Sequence, residues 1–333
     1  MMQPTGAPPL SHGSSPVVRS NTSPTKPGPD RSYAARRRRA GAWFIAPTLI
    51  VLVVVLAYPI VQSVLLSFQS VQASQGLFGG TWIGFGNYTR MLGDPAFSTG
   101  LANTLYFTAV EVLVVLAVSL AFAVLLNNTR VKSGFFTIIL LIPWAIAPVA
   151  NATIWKWIYN SNYGILNTLL LQLGIIDQPV IWLGSSALAL NMMLLADIWK
   201  SVPFITLLLL AGLRNIPPVL FKAARIDGAT GLQTFRLITL PQLRTTILIT
   251  IVLQSIWAMK VFDLIYVLTR GGPADGTVTL NFLSYRSAFN FGELGYGAAI
   301  ADVLFIVMLV VALIYVRILD QPSRAVRAAR KMK

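Results

Sequence analysis

Residues 219–241 read Val-Leu-Phe-Lys-Ala-Ala-Arg-Ile-Asp-Gly-Ala-Thr-Gly-Leu-Gln-Thr-Phe-Arg-Leu-Ile-Thr-Leu-Pro. The stretch is amphipathic, basic and broken by glycine, yet it lies between two long apolar segments, about 187–213 and 245–268. Each of those reaches the ~20 residues needed to span a bilayer. Outward from them, similar runs occupy about 42–67, 101–126, 134–158 and 294–316. The fold expected is an all-α polytopic membrane protein with six transmembrane helices, with a polar loop, 214–244, between helices 4 and 5. Composition agrees: 55% of residues are hydrophobic and 11% charged, where soluble domains carry about 25% charge. The apolar runs are continuous rather than alternating, which disfavours a β-barrel.

The net charge of +15 does not point to nucleic acid, because of where it sits. Twenty of the 26 basic residues fall in residues 1–40, 127–133, 214–244 and the C-terminal end from Arg317. In a six-helix topology these segments share one side, which the positive-inside rule reads as cytoplasmic. The expected location is a cell (inner) membrane, multi-pass, with both termini cytoplasmic and the lipid bilayer as a partner. There is no cysteine, and the single histidine, His12, lies in a polar tail. Disulfides, thiol catalysis and His- or Cys-based metal sites are excluded.

Three parts follow along the chain. Residues 1–40 are rich in Pro, Ser and Gly, end in Arg36–Arg39, and are expected to be a disordered basic tail. Residues 41–318 form the six-helix domain, and 319–333 a second basic tail. The apolar run after the arginines is too long for a signal-peptide core and has no clear cleavage site. It is read as helix 1, held by the arginines against the anionic inner leaflet. Outer loops are expected at 69–98, 159–185 (with a short interfacial helix near Ile165–Leu173) and 269–293, the last opened by Arg270-Gly271-Gly272-Pro273. Prolines 47, 59, 143, 148 and 203 fall inside spans, where neighbouring helices or waters can satisfy the freed carbonyls.

In the 214–244 loop, Pro217-Pro218 stop helix 4 and open a new turn. A short helix over about 218–226 places Leu220, Ala223 and Ala224 on one face. Gly228 tolerates the positive φ of the following turn. A second short helix, about 230–238, carries Phe235 and Arg236, and Leu240-Pro241 sets the entry into helix 5.

Charges inside spans are costly, about 2.5–3.5 kcal/mol each on insertion scales. Helix 4 carries Asp197 and Lys200, and helix 5 carries Lys260 and Asp263, each pair three residues apart. The pairs either neutralise themselves and fix packing or line a polar solute path. Trp199, Trp257 and Tyr266 stand near them as stacking surfaces for sugar rings or as core filling, and Asn191 and Gln254 are polar candidates on the same helices. Glu111 and Asp302 are read as inter-helix hydrogen-bonding groups. At Gly271, Gly272 and Pro273 a simple turn and a flexible contact for another protein stand even.

Ala223-Ala224, Gly228 and Ile238-x-Leu240-Pro241 resemble the cytoplasmic coupling loop of ATP-binding-cassette importer permeases. Over residues 40–318 the chain resembles the carbohydrate-type (maltose and glycerol-phosphate) group of that family. The similarity includes Trp82–Tyr88, Ile142-Pro143-Trp144, Tyr163–Asn167, Leu210–Leu213 and, most specific to the sugar group, Val261–Pro273. The resemblance implies a permease subunit of a binding-protein-dependent sugar importer working by alternating access. A second permease completes a heterodimer, two ATPase subunits carry ATP and Mg, and an extracytoplasmic solute-binding protein delivers the sugar. It implies ATPase contact at Leu220, Lys222, Ala223, Ala224, Asp227, Gly228, Ala229, Ile238, Leu240 and Pro241, and binding-protein contact at Gly271, Gly272 and Pro273. No cofactor is expected on this chain, since Gly-Lys never occurs and the phosphate-cradling loop is absent. The family usually has Glu before the two alanines, where this chain has Lys222. Either a compensating acid in the ATPase groove or a dominant Glu on the partner permease accommodates it. The alternatives are an importer of a phosphorylated polyol and an ion-coupled carrier. A membrane-embedded enzyme finds no His/Asp/Ser or metal constellation here, so the chain is expected to be no enzyme.

Overall fold

The computed structural model describes residues 43–76, 79–128 and 133–319. The basic tails, 1–40 and 320–333, and the turn with Arg130 and Lys132 lie outside the described residues. The chain divides into two compact units at Tyr58 and Pro59. The described part of the first is helical, and the packing below belongs to the second.

The protein is an α-helical polytopic membrane protein. Among the described residues five helices are long and apolar enough to cross a membrane, or six if one bent pair is a single span. In order they are α1 (Trp43–Ser67), α3 (Pro95–Asn128), the bent pair α4 (Ser133–Ala145) and α5 (Pro148–Ile158), α7 (Ser186–Arg214), α9 (Leu240–Met259, continuous from Gly231) with α10 (Asp263–Leu268), and α12 (Leu294–Leu319). Shorter helices are α2 (Gly86–Gly93), α6 (Ile165–Gln172), α8 (Pro218–Ile226) and α11 (Leu280–Tyr285) with a π-helical turn, Arg286–Asn290. A two-stranded antiparallel ladder pairs β1 (Gln69–Ser70) with β2 (Thr81–Trp82).

Two expected helices are broken. The third span, expected as one helix over 134–158, bends by 92° between α4 and α5. Ala147 is extended (φ −58, ψ 141) because the ring of Pro148 clashes with a helical residue before it. The fifth span breaks at residues 260–262, with no proline or glycine there. At its start, the separate helix expected at 230–238 is instead continuous with α9 through a π-helical turn at Phe235–Thr239, and Pro241 sits in the first turn of Leu240–Met259.

The end of the molecule with the 269–293 segment is tied down. Asn87 is buried and its Nδ2 donates to the Ser67 and Gln69 carbonyls, at 2.8 and 2.9 Å. Asn103 Nδ2 donates to the carbonyls of Gly276 and Val278, and Ser186 Oγ donates to that of Pro273. The 269–293 loop is therefore structured, and it carries α11.

Two apolar clusters form the core. One gathers Phe107, Met193, Ala196, Ala258 and Met259, the other Val115, Val202, Ile205, Leu209 and Leu243. Along α3, α7 and α9 the polar residues Glu111, Asp197, Lys200, Ser201 and Gln254 fall between them. A polar layer thus crosses an apolar bundle, and in a membrane such groups need partners or a watery path.

Candidate functional site

Both backbone breaks open onto one cavity of about 500 Å³. Ile146, Ala147 and Pro148 line one side, Lys260, Val261 and Phe262 another, and the middle of α7 a third. Irregular backbone at membrane depth is tolerated where protein buries it or it lines such a cavity. The freed Lys260 carbonyl accepts from Asn281 Nδ2 at 2.7 Å. Lys260 and Val261 close the end of α9 by donating to the Trp257 and Ala258 carbonyls.

Five of the nine solute-path candidates meet at this cavity: Asp197, Lys200, Trp257, Lys260 and Asp263. Neither charge pair is an ion pair. Arg90–Glu293 and Arg286–Asp275 do form ion pairs, both away from the cavity. Two features keep the pairs open. Lys260 lies in the break, so helical i, i+3 geometry is lost, and Asp197, though it feels the charge of Lys200, does not close an ion pair with it and also faces Glu111 on α3.

The other four candidates sit elsewhere. Gln254 is buried behind the wall, its Nε2 donating to Glu111 Oε1 at 2.5 Å. Trp199 packs edge-on against Trp155, with centroids 5.8 Å apart. Tyr266 stacks on Phe262 at 5.5 Å and so backs a cavity residue. Asn191 accepts from Tyr106 Oη at 2.8 Å in a second hollow lined by Asn103, Ser186 and Gly276.

Five cavity residues escape a reading by type and spacing: Trp144, Asn151, Ser201, Phe262 and Glu111 as a lining group. Trp144 stacks on Phe204 at 4.8 Å, and Phe204 meets Trp257 at 5.4 Å, giving an aromatic wall from α4, α7 and α9. The signals were the flanking Pro143 and Pro148 and the isolation of Glu111 in an apolar run. Glu111 does serve as an inter-helix hydrogen-bonding group, as does Asp302, whose carboxylate accepts from Ser63 and Tyr88.

At the opposite, basic end, α8 is amphipathic and sharply ended. Gly228 takes φ +72, Ala229 N donates to the Ala224 carbonyl and Gly228 N to that of Arg225, a Schellman closure. Thr230 then caps the next helix in a reciprocal box with Gln233. Leu220 packs against the second core cluster and Ala224 is buried, while Ala223 is exposed. Lys222, Asp227 and Gly228 are exposed, Ala229, Ile238 and Leu240 half-buried, and Pro241 exposed. The exposed surface of α8 includes Val219 and Ile226, and nearby Leu232 and Leu237 are also open.

Gly271 is buried with φ +91, its carbonyl accepts from Thr277 N, and the Gly272 carbonyl accepts from Thr277 Oγ1. Gly272 and Pro273 are half-buried. The described residues hold no cluster of His, Cys, Asp or Glu suited to a metal ion.

Residues 76–324 match the family described as "Binding-protein-dependent transport system inner membrane component". Among curated relatives, the trehalose/maltose transport system permease protein MalF of Thermococcus litoralis is 36% identical over 283 residues, 85% of this chain and 94% of that protein. The sulfoquinovosyl glycerol transport system permease protein SmoG of Agrobacterium fabrum is 36% identical over 275 residues, 83% of this chain and 88% of that protein. In fold, the chain is similar to a crystal structure of a bacterial ABC transporter involved in the import of the acidic polysaccharide alginate. The TM-score is 0.73 at 22% identity, covering 87% of this chain and 98% of that one.

Proposed function

Because the chain belongs to the family of binding-protein-dependent transport system inner membrane components, we propose that it is a pore-forming permease subunit of an ATP-driven sugar importer. The observation that carries the reading is the cavity where two broken spans face each other across an aromatic wall and a polar layer. Sugars present hydroxyl edges and apolar faces. Trp144, Trp257 and Phe262 suit the faces, and the polar layer suits the edges. The names of relatives that are 36% identical over more than four-fifths of the chain support a sugar or glycoside as cargo.

In this reading the chain crosses the membrane six times with both termini cytoplasmic, and 214–244 is the coupling loop. ATP and Mg bind to two separate ATPase subunits, which close and push on α8 through Lys222, Ala223 and the exposed apolar residues beside them. A second permease completes the pore, which alternates between inward- and outward-facing states. A solute-binding protein docks at the tied end, near the turn at Gly271, Gly272 and Pro273, and releases sugar into the pore. The chain itself performs no covalent chemistry.

The test is purification of the complex from native membranes and reconstitution in liposomes with the binding protein. ATP-dependent uptake of maltose or trehalose is expected. Recovery of the chain without an ATPase, with uptake driven by an ion gradient, would overturn the reading. Within it, Lys222→Glu is expected to weaken ATPase coupling several-fold. Unchanged uptake and complex stability would remove Lys222 from the contact.

A further inference from the structure

Another hollow, of about 540 Å³, opens at the basic end of the molecule. Val124 and Asn127 near the end of α3, Leu213 near the end of α7, and residues of α8 and 229–239 enclose it. It lies where two spans end and the 214–244 loop folds against them. Two cations line it, Lys222 and Arg225, and among the described residues no carboxylate does. Asp227, the acid of the same loop, is outside it.

Lys222 and Arg225 stand three apart on α8 and so share a face. Like charges on neighbouring helix positions repel, and an anion held between them turns that cost into an attraction. Arg225 Nε donates back to the Phe221 carbonyl at 3.4 Å. That leaves Nη1 and Nη2, the paired edge that binds two oxygens of one carboxylate or phosphate. The Lys222 ammonium is a compact charge suited to a further oxygen. Two cations match a phosphate monoester, with about −1.5 to −2 charge at neutral pH, better than a single carboxylate. The rest of the lining sets what the phosphate is attached to. Val124 and Phe221 pack against the second core cluster and form an apolar wall, and Phe235 adds a second ring. Asn127 and Thr234 offer hydrogen bonds. The volume is that of a small-molecule pocket, and a bare ion would leave the apolar wall uncovered.

We propose that this hollow is a regulatory site for a phosphate monoester on a carbon body, and that its occupant ties α8 to the ends of α3 and α7 and slows the importer. A soluble sugar phosphate and the headgroup of phosphatidic acid in the inner leaflet present the same group. The binding rests on the hollow alone, and the slowing rests on the reading of 214–244 as the coupling loop.

The experiment uses the complete complex in phosphatidylcholine nanodiscs, with binding read by calorimetry in the absence of transport. The probes are glucose 6-phosphate, inorganic phosphate and glucose. Glucose 6-phosphate is expected to bind saturably and several-fold tighter than inorganic phosphate, with no binding of glucose. Arg225→Gln, with assembly checked by co-elution, is expected to weaken it roughly tenfold and Lys222→Gln several-fold. Arg236→Gln, in the same loop but outside the hollow, leaves the affinity unchanged. Equal losses in all three variants mean diffuse attraction to a basic surface and overturn the site. So does absence of saturable binding, as when an acid of the assembled ATPase fills the hollow. Nanodiscs containing phosphatidic acid separate the two sources, with phosphatidylglycerol at equal surface charge as the control for repulsion. Competition by phosphatidic acid alone assigns the shared site to the lipid headgroup, and unchanged affinity assigns it to the soluble ester. In liposomes, glucose 6-phosphate on the ATPase side is expected to slow ATP-driven uptake of maltose or trehalose several-fold, with the half-effect moved roughly tenfold higher by Arg225→Gln. Binding without slowing overturns the regulatory role. Absence of ATP-driven uptake with no probe present overturns the importer reading, while the site still stands or falls by calorimetry.

Discussion

The two backbone breaks that line the cavity are made by different means. At residues 146–147 the local sequence favours the break. Pro148 disfavours a helical Ala147, and the ring then suits the first turn of α5. At residues 260–262 nothing in the local sequence forbids helix, and the break is held from a distance by Asn281, 21 residues downstream, on the Lys260 carbonyl. One break is a local property of the chain and the other a tertiary one. The first should persist when its surroundings change and the second should not.

The largest expected effect comes from removing the local cause. Pro148→Ala lifts a bar on helix of about 3 kcal/mol and lets α4 run on through Ala147. The 92° bend opens the cavity wall, so straightening it moves Trp144 and Asn151 relative to each other. Sugar uptake is expected to fall tenfold or more while the complex still assembles. Uptake at the wild-type rate means that the bend is not needed for the path.

The same contrast explains what the sequence made legible. Span positions came from apolar runs alone, and α7 and α12 begin and end within a few residues of expectation. The Gly228 turn was readable because glycine adopts φ +72 without steric cost. Proline placed a warning at 143 and 148, but proline is tolerated within spans, as it is at 143 and 203, so the pattern alone did not single out Pro148 as the one that breaks a helix. The break at 260–262 left no local signal, and Asn281 does not advertise its target. Asn151 was invisible because an amide in an apolar helix looks like a packing detail until its Oδ1 is found unpaired. The charges at 197 and 200 were noticed, yet spacing pointed to each other rather than to Glu111, because helical periodicity sees only one helix.

Next in size is the tertiary cause. Asn281→Leu leaves the Lys260 carbonyl without its 2.7 Å partner, a loss of about 0.5–1.5 kcal/mol for this exposed bond. The segment is expected to loosen, with a lower unfolding temperature of the complex and protease or hydrogen-exchange opening confined to residues near the break. Opening spread evenly over the chain would mean that Asn281 stabilises the fold generally rather than this break. An effect of similar size is expected at Gly271, in the turn that follows α10. An added Cβ would stand 2.8 Å from Val278 Cγ2 at φ +91, so Gly271→Ala should destabilise by about 1–2 kcal/mol. If the turn anchors the second break, the loss should appear in the same exchange pattern as Asn281→Leu, and the double variant should lose less than the two single losses combined.

The smallest effect should come from Arg90, which touches neither break. Its guanidinium makes a two-point bond to Glu293 at 3.0 and 2.9 Å and lies 4.1 Å over the Tyr296 ring. The geometry is good, but the Arg90 side chain is 52% exposed, so solvent and salt screen the pair. Exposed pairs contribute at most about 1 kcal/mol. Arg90→Ala is expected to shift the unfolding temperature slightly, less in high salt, with uptake unchanged. Because the pair ties α2 to the start of α12 at the tied end, a several-fold loss of uptake would show that this end moves with the pore. In that case neither proline nor Asn281 alone would set the shape of the cavity.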